Sequence, residues 1–419
     1  RGSLHAIPAL PTKPAFPRPP FGTSMAVDLI ALHELPMDEL RERAAGSGID
    51  TQGKRRGDLV FAIARQAGQA DGTHYGMGVL EVHGEGFGFL RSPVSNFLPG
   101  PEDIYVSQSQ IRRFKLQTGD TVIGMVRPPK EGERYTALLR VESINGLSTD
   151  KSSAAANKGF SDRKVVHPSE RIQLRSDEPA IKLFDQLIPI AKGQRALLMA
   201  PTGCGASELL MALSTAVSQG SKLQCTCVLL SERPETIQDF KDSGCAELVS
   251  STFDEQAPRH VQLAEMVIEN AKRQAESGAD VFLVVDSLTR LATAASVGTP
   301  GSSANLPHGL TPKGVAATKK LLSVARNLEG AGSITMLAVL RSSDTPIDSY
   351  LAQELGDLAN CRIQLSREAA AAGAPLPLDL SRTNTEHESQ FLGAAELQAL
   401  ADRRKRAARS PQDLAALAG

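Results

Sequence analysis

Apolar and polar positions change rhythm along the chain, and each change marks a different kind of element. Between residues 25 and 72 the spacing is helical. In "HELPMDELRERAAGSGI" apolar side chains recur at helical intervals after Pro36, and Gly46 to Gly48 end the run. "RRGDLVFAIARQAG" predicts a second helix with Leu59, Ile63 and Ala64 on one side. Residues 73 to 146 alternate instead, in "GVLEVHGEGFGFLRS", "DIYVSQSQIRRF", "GDTVIGMVRPP" and "ERYTALLRVESI". With Gly and Pro punctuating the runs, this pattern predicts a compact all-β barrel of about five strands. Residues 147 to 177 are rich in Ser, Ala, Asn and Lys without a period, which predicts an exposed linker. From 178 to 419 continuous apolar runs ("RALLMA", "CTCVLLS", "VFLVVDS", "ITMLAVL") alternate with helical stretches such as "RHVQLAEMVIENAKRQAE". Runs of that kind suit a parallel sheet covered on both faces, the pattern of an α/β nucleotide fold. The tail "LADRRKRAARSPQDLAALAG" predicts a helix with a basic first half and a second start at Ser410-Pro411.

Composition narrows the reading without redirecting it. At 419 residues, with 41% hydrophobic and 22% charged residues, the chain is expected to form two or three globular domains. A formal net charge of −1 excludes a globally basic nucleic-acid binder but leaves room for a local basic face. No apolar stretch approaches the roughly 18 residues a transmembrane helix needs, so no membrane partner is expected. The five cysteines (204, 225, 227, 245, 361) lack metal-ligand spacing and read as thiols in a reducing cytoplasm. Residues 1 to 24 are Pro-rich without acidic groups. They read as a disordered arm, a cloning scar or an upstream extension, with the natural start expected at Met25.

Two regions carry candidate chemistry. In "GEGFGFLRS", Phe87 and Phe89 project from one face of a strand, and Arg91 follows on the same face. Exposed rings in this arrangement stack bases, and the arginine can meet a phosphate or base edge; the bland reading is that both rings fill the barrel. Asp103 and Tyr105, then Glu133, Arg134 and Tyr135, could add polar and stacking contacts. In the α/β region, "APTGCGASELL" (residues 200 to 210) begins as a phosphate loop, but Ala206 stands where Lys belongs, followed by Ser207 at the Ser/Thr position. "VFLVVDSLTRLA" ends a strand on Asp286, which fits either a carboxylate holding Mg²⁺ or a helix cap. "SERPET" places Glu232, Arg233 and Glu235 at another strand end, either to orient an attacking water or as a solvated helix start.

Together "GFGFLRS", "DIYVSQSQIRRF", "RPPKEGERY", "STFDEQAPRHVQLAEMVIENAKR" and "DSLTRLA" resemble the bacterial transcription termination factor Rho family, from about Met25 almost to the C-terminus. The resemblance implies a helical N-terminal domain, an OB/cold-shock-like barrel and a RecA-like P-loop NTPase domain. It further implies a homohexameric ring that binds single-stranded, pyrimidine-rich RNA and uses ATP and Mg²⁺ to dislodge RNA polymerase. Phe87, Phe89, Arg91, Asp103, Tyr105, Glu133, Arg134 and Tyr135 all match the family's RNA site. At the nucleotide positions Gly203, Gly205, Ala206, Ser207, Glu208 and Arg233, the match breaks at Gly203 and Ala206, where the family has lysines. Ser207 and Asp286 would hold the metal, and Glu232 takes the water-orienting position.

Further departures accompany these. Glu386 stands at the arginine finger, Gly373 at a second trans-acting arginine and Pro375 at the adenine-stacking Phe. Ala304, His308-Gly309 and Pro346 replace inner-loop residues, with Lys313 or Arg341 as stand-ins. The expectation is a cytoplasmic RNA binder with a degenerate motor, alone or in mixed rings with an active Rho. One alternative is an active terminator with relocated arginines (Arg233, Arg367 or Arg382). Another is a subunit that docks on Rho without RNA.

Overall fold

The computed structural model describes residues 29–51, 54, 56–155, 158–220, 222–244, 247–297, 306, 309–342 and 345–408. The N-terminal arm, Cys245, Ala304, His308 and the Ser410-Pro411 start lie outside the described residues. The helical unit comprises α1 (Leu29–Glu34), α2 (Met37–Gly46) and α3 (Arg56–Asp71). It buries Leu29, Leu32, Leu40, Leu59 and Val60 together with Ile123 of the barrel, so the unit and the barrel share a core.

The barrel runs β1 (Tyr75–Val82), β2 (Gly88–Arg91), β3 (Ile104–Val106), β4 (Thr121–Arg127) and β5 (Thr136–Ile144). The strand order β3-β2-β1-β4-β5, with β3 also pairing parallel to β5, closes a five-stranded barrel over Leu80, Leu90, Val106, Val122 and Ile144. One stretch expected to be extended throughout is not. "DIYVSQSQIRRF" leaves β3 at Ser107 and becomes helix α4 (Gln108–Phe114). A reciprocal capping box is the cause: the Ser107 hydroxyl accepts from the Gln110 amide at 3.4 Å, and the Ser107 amide donates to the Gln110 side chain at 3.1 Å.

The α/β domain carries parallel strands in the order Glu247–Thr252, Gln224–Glu232, Asp280–Asp286, Ser333–Arg341, Arg195–Ala200 and Cys361–Gln364. All four apolar runs singled out above become strands of this sheet, buried between helices such as Ala206–Gly220 and Ala257–Glu276. Cys204, Cys225, Cys227 and Cys361 are buried and form no disulfide among the described residues. Helix Ala394–Ala407 follows, fixed by Arg404, which donates to the Leu187 carbonyl at 2.9 Å and to Glu388 at 2.6 Å. No helix among the described residues is long and apolar enough to cross a membrane.

The segment expected as an exposed linker is tied down. Phe160 is buried, its amide donates to Glu276 at 2.6 Å, and the Arg326 guanidinium lies 4.8 Å from its ring. Residues 165–166 pair antiparallel with 327–328.

The barrel docks through a loop. Asn96 and Phe97 both take left-handed backbone, φ 52° and 56°, a strained conformation for a bulky residue. The strain is offset because Phe97 enters the α/β core beside Val249 and Val267, while Asn96 accepts from the Ser250 amide at 2.7 Å. Asn270 adds donations to the Gly119 carbonyl at 2.8 Å and to Thr121 at 3.0 Å. Truncating this plug tests the docking: Phe97→Ala should cost about 3–5 kcal/mol in urea unfolding. A loss under about 1 kcal/mol would mean that the barrel is held elsewhere.

Candidate functional site

On the barrel, β1 and β2 pair with Glu81 opposite Phe89, and β2 and β3 pair with Phe89 opposite Tyr105. Strand alternation sends Leu80 and Leu90 inward and leaves Phe87, Phe89 and Tyr105 on the outer face. The rings do not fill the barrel; they form a cluster on it. Phe89 lies 5.8 Å from Phe87, 6.0 Å from Tyr105 and 4.8 Å from Tyr135, mostly edge to face. Gly88 between the two Phe is obligatory, because a Cβ there would come within 2.7 Å of the Glu81 carbonyl. A partly exposed ring cluster of this kind offers stacking surface to a planar base.

The polar residues divide into two groups. Arg91 is 4% exposed and so does not reach solvent, where a phosphate would be met. It donates to Glu81 at 2.8 Å and to Asp103, and its guanidinium carbon lies 5.1 Å from the Phe89 ring. Asp103 also accepts from the Gly100 amide at 2.8 Å. Arg91 and Asp103 therefore act from beneath the aromatic surface. Glu133, Arg134 and Tyr135 sit at the rim. Arg134 lies 5.4 Å from the Tyr135 ring, and the paired hydrogen bonds from Arg127, with the Lys130 amide, hold the Glu133 carboxyl down to about 2. The sequence reading missed His83, whose ring stacks on Phe87 at 5.2 Å and whose buried Nε2 has no hydrogen-bond partner among the described residues.

At the carboxyl ends of the parallel strands, residues 201–205 join strand Arg195–Ala200 to helix Ala206–Gly220. Gly203 and Gly205 keep the left-handed turn, with φ 82° and 70°. Cys204 and Ala206 turn into the apolar core beside Leu209 and Leu210, leaving Ser207 half-buried and Glu208 exposed. The helix start thus presents an alanine methyl to the interior and no cation to the loop.

Opposite the loop, Asp286 is 1% and Glu232 3% exposed, and both are engaged by guanidinium groups. Arg290 donates to both Glu232 oxygens, one at 3.1 Å, and lies 3.9 Å from Asp286. Arg341 donates through Nε to Asp286 at 3.2 Å and through its terminal nitrogen to the other oxygen. Burial pushes the Asp286 carboxyl up against the pull of Arg341. Burial pushes Glu232 the same way, but hydrogen bonds from Arg290 and the Arg233 amide outweigh it and hold the carboxyl low. A nucleotide-bound Mg²⁺ needs uncommitted carboxylate oxygens and a cation at the phosphates. This donor set does not fit one.

The remaining expected positions scatter. The Arg233 side chain, Glu386, Pro375, Arg382 and Lys313 are exposed, Gly373 turns with φ 75°, and Pro346 opens helix Pro346–Gly356. Arg341, expected as an inner-loop stand-in, points to Asp286 instead. Arg367 is close enough to moderate the burial-driven rise of the Cys204 thiol. Arg290 lies four residues after Asp286 but across a strand end and a helix start, so helical spacing gives no sign of its fork onto Glu232. The Arg91 cluster yields a direct test. Arg91→Ala strands two carboxylates at a buried site and should cost about 3–5 kcal/mol, read as a fall in the barrel's thermal transition. An unchanged transition would show that Arg91 carries no such role.

Comparison with known proteins follows this division. The Rho termination factor RNA-binding domain matches residues 76–150, and the ATP synthase alpha/beta family nucleotide-binding domain matches residues 180–382. Transcription termination factor Rho of Pseudomonas aeruginosa is 38% identical over 381 residues, covering 89% of this chain and 90% of that one. The Haemophilus influenzae protein of the same name is 40% identical over 352 residues, covering 82% and 83%. Among solved structures, an ATPase of the type III secretion system of pathogenic bacteria superposes with a TM-score of 0.52 at 22% identity, over 58% of this chain and 70% of that one. The assembled EscN ATPase of enteropathogenic E. coli gives 0.51 at 24%, over 58% and 59%. These two likenesses bear on the fold alone. With an RNA-binding barrel ahead of a RecA-like domain and relatives of this identity along most of its length, the chain belongs to the transcription termination factor Rho family.

Proposed function

We propose that this Rho-family chain binds single-stranded, pyrimidine-rich RNA on the Phe87–Phe89–Tyr105–Tyr135 face while its motor is defective. It then regulates termination in the cytoplasm, by holding RNA or by entering mixed rings with an active Rho at the polymerase. The observation that carries the reading is the contrast between the two sites. The aromatic face is assembled and supported from below by Arg91 and Asp103. The phosphate loop keeps its turn but buries Ala206 where a phosphate-binding lysine belongs. Without that cation, the negative charge that builds on the phosphates in the transition state is left uncompensated. Glu386, at the position of the family's arginine finger, adds charge of the wrong sign.

A second reading is an active ATPase in which Arg367 supplies the missing cation; the closeness of Arg367 to the loop at Cys204 favours it. One assay separates the two. RNA-stimulated ATP hydrolysis, measured with oligocytidine beside an active Rho, should fall short by about 10³-fold or more. Turnover at the active ring's rate would overturn the proposal. Turnover lost in Arg367→Ala would establish the second reading. The RNA half is tested by filter binding: Phe87→Ala and Phe89→Ala should each weaken oligocytidine by about 1–3 kcal/mol. A parent chain with no affinity for the oligonucleotide would refute it.

A further inference from the structure

We propose that Arg341 takes the place of a divalent cation at this site, neutralising Asp286 with its guanidinium and closing this end of the sheet to Mg²⁺. The inference rests on the reading that the motor is defective, and it identifies a cause independent of the missing lysine.

Position comes first. Strand Asp280–Asp286 lies beside strand Ser333–Arg341, with Val285 in register with Ala338. On its other side Arg341 is in register with Ala200, the last residue before the phosphate loop. Arg341 is therefore rooted between the loop and the acidic strand end. Its amide is held by the Thr289 hydroxyl at 3.2 Å, and the Ser342 amide donates to the Ala200 carbonyl at 3.1 Å.

Charge comes second. Arg341 forks onto both Asp286 oxygens and lies 3.8 Å from Glu232, while Arg290 forks onto Glu232. Two carboxylates and two guanidinium groups sum to zero. Mg²⁺ arriving alone would bring the four-residue cluster to net charge +2, and both Asp286 oxygens are already taken, so the metal could reach them only by displacing the Arg341 fork. A guanidinium cannot leave by losing its proton, and Mg²⁺ surrenders its own water reluctantly.

Access comes third. The Asp286 and Glu232 side chains are 2% and 4% exposed, against 23% for Arg341 and 28% for Arg290. The arginines lie on the solvent side of the acids, so an approaching cation meets cations first.

Mn²⁺, a paramagnetic stand-in for Mg²⁺, provides the test. It is titrated against the full chain, with and without ADP, and binding is read as loss of the free-ion EPR signal. The wild type should take up no Mn²⁺ below about 1 mM. Arg341→Met should gain a site about tenfold tighter or better, and adding Asp286→Asn to that variant should remove the gain. Arg341→Gln keeps an amide donor near Asp286 and so disturbs folding less; it should gain the same site. Wild-type Mn²⁺ binding that Asp286→Asn abolishes would overturn the inference, as would folded Arg341 variants that gain nothing. If neither variant folds, the wild-type titration decides alone. Mn²⁺ on Asp286 in a chain without ATPase activity overturns this inference only, whereas ATP turnover with no metal on Asp286 overturns the functional reading only.

Discussion

Asp286 ends a central strand with its carboxylate almost wholly out of water, and the groups around that end of the sheet answer to its charge. An isolated buried carboxylate is too costly to persist, so it must be protonated or paired. In a metal-dependent nucleotide site the compensating charge arrives with the ligand and leaves with it. Here it is covalently part of the chain, on the neighbouring strand. A permanent counter-charge makes the strand end self-sufficient: it needs no ligand to be stable. The same constraint governs the barrel, where Arg91 lies between Glu81 and Asp103 and serves as the footing of Phe89. One arginine is buried beneath a ring and the other lies over an acid, so the same kind of pairing is used in two ways. Arg91 lies under the Phe89 ring, and Arg341 covers the Asp286 carboxylate.

Absence of a lysine at position 206 and the intact phosphate-loop fold are compatible because the fold there draws on other interactions. The phosphate loop is shaped by Gly203 and Gly205 and anchored by Cys204, none of which requires a lysine. An alanine at 206 adds a methyl group to the apolar layer of Leu209 and Leu210 and has the highest helix propensity of any residue. Alanine at this position therefore suits the helix that carries it.

Legibility in the sequence followed the range of the interactions. The four apolar runs of the sheet were plain because burial on both faces leaves a continuous local signature. The ring cluster was half legible. Alternation put Phe87 and Phe89 on one face, but whether that face was inner or outer depended on Leu80 and Leu90 claiming the core. "QSQIRRF" follows an apolar alternation that reads as strand, yet its Ser107–Gln110 box, written in the same sequence, starts a helix there. The aperiodic linker gave no sign that Phe160 would be buried against Glu276, more than a hundred residues away. Arg341 reads from sequence as an inner-loop stand-in, yet it pairs with Asp286. Its partner lies 55 positions earlier, and only the register of two parallel strands brings them together.

The aromatic face of the barrel stands on the α/β domain. Glu81 accepts from Arg91 with one oxygen and, with the other, from Gln262 on helix Ala257–Glu276 at 3.1 Å. The same helix sends Asn270 to Gly119 and Thr121, and Arg273 to Gln117 at 2.5 Å. Phe97 fixes the other side of the barrel in the sheet's core. A barrel cut free would expose Phe97 and release Glu81 from one of its two donors, loosening the ion pair beneath Phe89. The aromatic face therefore depends on the sheet, its long helix and its core packing, and none of these contacts involves the phosphate loop.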